Sequence, residues 1–138
     1  MQGKFERKRR TGRAQSLVEV LVGSIALIPI ALIGIDLCVV VFANTANDSL
    51  AKTAARAAAN QGSRQEANAA AVKCVDQFGK SSLILDVQLS QDFNYEKDKE
   101  VVVKTRMTVK LPAAPQGFDV LKFDAQAVAP VLAAPADV

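Results

Sequence analysis

Histidine and tryptophan are absent from these 138 residues, tyrosine occurs once and cysteine twice. Without histidine the commonest general base is gone, and no glycine-rich phosphate loop or strained nucleophile turn stands in for it. No Cys-x-x-Cys pair and no carboxylate cluster at ligand spacing occurs, so the sequence offers nothing to hold a metal, and no cofactor is expected. Cys38 follows "GIDL" with no small residue directly before it, as a lipoprotein cleavage site would need, and Cys74 falls in a helical pattern. Both read as buried or lipid-facing thiols. With one tyrosine and no stripe of mixed aromatic and basic residues after residue 14, a nucleic-acid partner is not expected either.

What is present is unevenly distributed. Residues 1–14 hold six of the seventeen basic residues (Lys4, Arg7, Lys8, Arg9, Arg10 and Arg13) and one of the fourteen acidic ones, Glu6. That segment carries +5 and the remainder −2, so the formal net charge of +3 belongs to a leader and not to a folded surface. Residues 20–35 then contain no charged side chain, and apolar character continues past Asp36 to Ala43. At ~1.5 Å per residue, residues 20–43 make about 36 Å of helix, enough to cross a ~30 Å hydrocarbon core with some tilt. A cleaved secretory signal would have a shorter apolar core followed by a small-x-small site. The run therefore reads as a retained span in membrane lipid, with the basic block on the cytoplasmic side and the C-terminus outside. Pro29 falls mid-span, where it removes one backbone hydrogen bond; it reads either as a simple kink or as a weak point that bends during assembly. Asp36 is expected at the outer interface, reaching headgroups or water.

Glu19, where the apolar run begins, admits two readings. Ser16-Leu17-Val18-Glu19 matches a capping box, with Ser16 as N-cap and Glu19 reaching back to its backbone N–H. Alternatively the chain is cut before Gln15, so that Glu19 becomes the fifth residue and the new α-amine at Gln15 supplies an opposite charge. Between staggered neighbouring helices that amine and the carboxylate would neutralise each other, whereas an unpaired carboxylate in lipid is costly.

A basic leader, a small residue, four residues and then a glutamate opening a hydrophobic helix is the arrangement of type IV pilin-like prepilins. The chain resembles most closely the TadE-like branch of the tight-adherence (Flp, type IVc) pilus systems. The likeness rests on "GRAQSLVEV", "IALIPIALIGIDL" and "LAKTAARAAA" in that order. It covers residues 10–60, and beyond them extends only to architecture. The resemblance implies cleavage between Ala14 and Gln15 by a prepilin peptidase, with Glu19 serving assembly. It further implies that the partners are other pilin-like subunits, the peptidase and an inner-membrane assembly platform. In this family the residue before the cut is usually glycine; here it is Ala14, with Gly12 two positions earlier.

Past the span, Ala46, Leu50, Ala54, Ala57 and Ala58 form a narrow apolar stripe, with Asn44, Lys52, Arg56 and Asn60 off it. One helix over residues 15–60 follows, suited to a filament core or to a plain stalk. "NQGS" breaks it, and Ser63-Arg64-Gln65-Glu66 opens a second helix over 64–78 by another capping box. Ala67, Ala70, Ala71, Cys74, Val75 and Phe78 form its buried face, and Gly79 its terminator. The period then changes to two. Leu85, Val87 and Leu89 form one alternating set, followed by Val101, Val103, Met107, Val109 and Leu111, and then by Leu121, Phe123, Ala125 and Ala127. "NYEKDK" and "PAAPQG" connect these three strands, and the second helix is the nearest element to cover their apolar face. The tail from Pro130 reads as frayed.

The sequence thus specifies an α+β, pilin-like architecture: a basic leader at 1–14, a long transmembrane helix at 15–60, and an outer domain at 61–138 with a second helix and an antiparallel sheet of about three strands. The function expected from the resemblance is that of a minor pilin-like subunit, or pseudopilin, not an enzyme. The rival is an uncleaved, membrane-anchored extracytoplasmic binding module.

Overall fold

The computed structural model describes residues 7–97 and 99–132, with side chains from Gln15 onward. The first six leader residues and residues 133–138 lie outside the described residues. The tail from Pro130, expected to fray, is held over its first three residues: Pro130 pairs with Glu100, Val131 N–H donates to Lys99 O at 3.1 Å and Leu132 N–H to Ala59 O at 3.0 Å. Helix α1 (Arg7–Ala59) is a single run of 53 residues, about 80 Å long at ~1.5 Å per residue. Its start corrects one expectation. Ser16 is interior to α1 and cannot be its N-cap, because the Arg, Lys and Ala of the leader are good helix formers that begin the helix at Arg7. In the uncut chain Glu19 therefore completes no capping box.

Helix α2 (Arg64–Gln77) starts as expected. Ser63 is extended at φ −135° and ψ 153°. Its Oγ accepts the Glu66 N–H at 3.3 Å and donates to Glu66 Oε2 at 3.0 Å. The far end differs: Phe78 N–H donates to Val75 O at 3.1 Å, and Gly79 follows without the left-handed backbone of a glycine terminator.

The sheet is antiparallel, built on strand β3 (Glu100–Lys110) at its centre. Strand β4 (Val120–Pro130) pairs with β3 along its whole length, from Lys110 opposite Val120 to Glu100 opposite Pro130. The other edge of β3 is shared. Strand β1 (Ile84–Leu89) takes its C-terminal half, and a two-residue strand β2 (Asn94–Tyr95) pairs with Val101 and Val102. The three expected strands are all present, and β2 is a fourth that lay within the expected turn. The Tyr95 hydroxyl donates to Gln61 O at 2.9 Å, fastening that hairpin to the α1–α2 connection.

Two details of the inward faces depart from strict alternation. A bulge between Ile84 and Asp86 leaves Leu85 without a partner on β3, and Leu85 is 43% exposed instead of facing inward. The inward residue at that end of β1 is Ile84. On β3 the inward row includes Thr105, which is buried although polar.

Its cover is α1. The C-terminal half of that helix lies along β3 and β4, while α2 packs mainly on α1 and meets the sheet chiefly at β1. The expectation that α2, as the nearest element, would cover the sheet is thereby corrected. Ala51, Ala54, Ala55, Ala58 and Ala59 meet Val101, Val103, Ala127 and Ala129, with Ala67 and Ala71 of α2 on the helix's other flank. Ala43 packs with Ile84, Met107 and Val109, with Phe78, Val87 and Phe123 around them. The buried surface of α1 is therefore wider than the narrow stripe: Ala43, Asn47, Ala51, Ala55 and Ala59 add a second row at intervals of four. Asn44, Lys52, Arg56 and Asn60 stay exposed, as expected.

Asn47 is fully buried between the two apolar groups. Its Oδ1 accepts the Thr105 hydroxyl at 2.8 Å, and its Nδ2 donates to Phe123 O at 2.9 Å and more weakly to Thr105 O at 3.5 Å. These bonds fix the helix against both long strands at one height and one rotation. Asn47→Ala is expected to cost about 1–3 kcal/mol, because it leaves buried polar partners unmade. Asn47→Ala combined with Thr105→Val should cost clearly less than the sum of the singles. Urea titration of the four proteins in detergent measures this, and strict additivity would contradict it.

On the sheet's outer face Arg106 and Asp124 stand directly opposite, with Nε to Oδ1 at 2.6 Å and a second bond at 3.1 Å. The Arg106 guanidinium holds the Asp124 carboxyl below its ordinary 3.8, and Lys80 does the same for Asp86. A lowered folded-state value contributes stability above the ordinary pKa that is lost as pH falls through the folded one. The pairs are exposed, so the contribution is small. Below about pH 4, wild-type stability should fall more steeply with acid than that of Arg106→Gln; equal slopes would contradict the linkage.

Candidate functional site

Helix α1 has two surfaces in sequence. From Ala43 to Ala59 one side is roofed by the sheet and α2. From Leu17 to Ile35 nothing among the described residues covers it, and Leu17, Leu21, Ile25, Ile28, Ile33 and Ile35 are all exposed. The stretch Gln15–Ala59 holds a window long and apolar enough to cross a membrane. Gly23 and Gly34 have open space where a Cβ would be. Ser24 spends its hydroxyl on Val20 O at 2.8 Å, so its polar group is satisfied within the helix. The helix continues through Pro29, whose ring nitrogen carries no hydrogen to give to Ile25 O.

Glu19 lies on this bare surface, exposed, one helical turn from Gln15. Among the described residues it has no hydrogen-bonding or ionic partner. Ala14 and Gln15 are consecutive residues inside α1, and the side chain of Ala14 lies outside the described set.

Asp36 has a partner within the chain instead of reaching only headgroups or water. It is half-buried, and its Oδ1 accepts the backbone N–H of Ala113 at 3.0 Å. The cause lies in chain direction. As α1 rises from Ala43 to Ala59, β3 descends from Val109 to Val101 alongside it, so the β3–β4 loop hangs towards the bare half of α1. That loop is closed by Leu111 N–H to Asp119 O at 2.7 Å and Phe118 N–H to Pro115 O at 3.0 Å. Gly117 turns it at φ +97°, a conformation that favours glycine. No local pattern reveals the contact, since its partners are 77 residues apart in the chain.

Elsewhere the surface carries little chemistry. A groove of about 550 Å³ between α1 and the β4 edge is lined by Lys52, Arg56, Asn60 and Leu132 among others. Lys52 there is already engaged by Asp48 at 2.6 Å. A hollow of about 480 Å³ beside α2 is lined by Arg64, Asn68, Val72, Leu89 and Phe93 among others. Neither pairs a nucleophile with a base. Cys38 is exposed on α1, Cys74 rests against the alanine-rich packing, and both thiols are free. Among the described residues no three His, Cys, Asp or Glu side chains gather as a metal site.

Comparison of the chain with protein-family models, curated proteins and solved structures gave no match.

Asp36→Ala should free the β3–β4 loop without unfolding the sheet. The Ala113 amide is expected to exchange with solvent deuterium roughly tenfold faster or more, the equivalent of one hydrogen bond to a charged acceptor. Unchanged exchange at Ala113 would show that the bond does not hold the loop.

Proposed function

We propose that the chain is a pilin-like minor subunit, or pseudopilin, of a tight-adherence (type IVc) pilus or a related secretion machine. It works by assembly through its N-terminal helix and not by catalysis. The observation that carries this reading is Glu19, a carboxylate on an uncovered apolar helix surface with no partner in its own chain among the described residues. A permanent anchor has no use for such a charge, and mutating it away would relieve a cost. A subunit that docks against copies or relatives has one: cleavage after Ala14 gives Gln15 an ammonium group, which a staggered neighbour presents to Glu19.

Orientation and span follow within the same reading. The folded unit already covers α1 at Ala43, so the bilayer takes the lower segment. From Leu17 to Asp36 the rise is about 28 Å, matching a ~30 Å hydrocarbon core. The basic leader then lies at the cytoplasmic face of the inner membrane and the sheet outside. The prepilin peptidase, an inner-membrane assembly platform and other pilin-like subunits are the partners, and an extracellular pilus is the destination of any subunit that is incorporated.

One observation favours the rival, an uncleaved anchor carrying a binding module. Helix α1 is unbroken across Ala14 and Gln15, and a peptidase must open that turn before it can cut. Intact mass of the protein from its native membrane decides between them. Cleavage predicts a mature chain beginning at Gln15, and retention of residues 1–14 in working material would overturn the assembly reading. Glu19→Leu should insert into the membrane normally but fail to enter assemblies, as read by co-purification with its partners; unimpaired incorporation would remove Glu19 from the mechanism.

A further inference from the structure

We propose that the β3–β4 loop, residues 112–119, is a second membrane contact, with Phe118 seated in the headgroup–acyl boundary of the outer leaflet. The inference rests on the membrane-spanning reading of α1 but not on its assembly role. Phe118 is 77% exposed, the most exposed large apolar side chain among the described residues. A lone exposed apolar side chain is ordinary, so the weight falls on where this one sits, at the tip of a loop that hangs beside the bare part of α1. The loop's height is set by the Asp36–Ala113 bond, which holds it beside the point where α1 leaves the hydrocarbon. Leu37 is exposed on α1 at that level, so lipid-facing surface continues from the helix towards the loop.

The loop's polar groups are arranged to permit this. Its backbone is partly self-satisfied through Phe118 N–H to Pro115 O, Leu111 N–H to Asp119 O and Gly117 N–H to Asp119 Oδ1 at 3.3 Å. Asp36 and Asp119 both spend carboxylate oxygens on loop amides. Pro112 and Pro115 bring no N–H groups needing partners. Lys110 and Lys122, exposed at the adjacent strand ends, have no carboxylate within bridging distance among the described residues and would face lipid phosphates. The domain is thus held at two points, the helix and the loop, which fixes its rotation about the α1 axis as well as its height.

The absence of tryptophan gives a clean test. Three single variants, Leu27→Trp in the span, Phe118→Trp in the loop and Val128→Trp near the far end of β4, are each reconstituted as full-length protein in phosphatidylcholine–phosphatidylglycerol vesicles. The lipids carry bromine high on the acyl chain. Phe118→Trp should show blue-shifted emission and lose most of it to bromine, while Val128→Trp emits as in water and is unquenched. An aqueous, unquenched Phe118→Trp beside a quenched Leu27→Trp would overturn the loop contact and leave the span intact. In parallel vesicles with bromine near the end of the acyl chain, which reaches the midplane, an unquenched Leu27→Trp would overturn the span and the loop contact together.

Discussion

Close approach between α1 and the sheet governs where every other part of this molecule lies. Ala51, Ala54, Ala55, Ala58 and Ala59 present so little side chain that the helix backbone comes down onto Val101, Val103, Ala127 and Ala129. Alanine adds small hydrophobic area per residue, so the contact works by length and fit more than by the burial of any one group. Asn47 then fixes the sliding coordinate, because its amide reaches Thr105 and Phe123 only at one register. With that register set, the β3–β4 loop falls beside Asp36 and the bare part of the helix starts where the sheet ends.

Much of this was legible before any coordinates. Apolar length marks the bare part of α1, and Ser63 with Glu66 marks the start of α2, because both signals are local. Period-two alternation finds β1, β3 and β4 for the same reason. What was hidden depends on distant partners. Leu85 looks inward by parity, and only the bulge against Val109 and Thr108 turns it out. Asn47 looks like a polar residue beside an apolar stripe, and Thr105 like an interruption. Each is buried because the other meets it from 58 positions away. Strand β2 is two residues long, too short for any periodicity to register. Nearness in sequence points to α2 as the roof over the sheet, whereas the small side chains of α1 let it take that place.

The candidate site divides in the same way. Glu19 stands out in the sequence because a carboxylate interrupts an oily stretch, and the structure adds that no described part of the chain comes to meet it. In the uncut chain Glu19 completes no cap, because α1 already runs through Ser16. Asp36 is the opposite case. Its charge at the end of an apolar run suggests solvent, and its actual engagement with Ala113 depends on a hairpin encoded much later in the chain.

Because α1 is at once the bare apolar rod and the central beam of the folded unit, there is no hinge among the described residues between them. A pull along the rod is delivered to β3 and β4 as shear, parallel to their length, and must strain the whole alanine interface at the same moment instead of peeling it contact by contact. Tension therefore meets the fold in its strongest direction, whereas a sideways push on the folded unit acts on the rod as a lever.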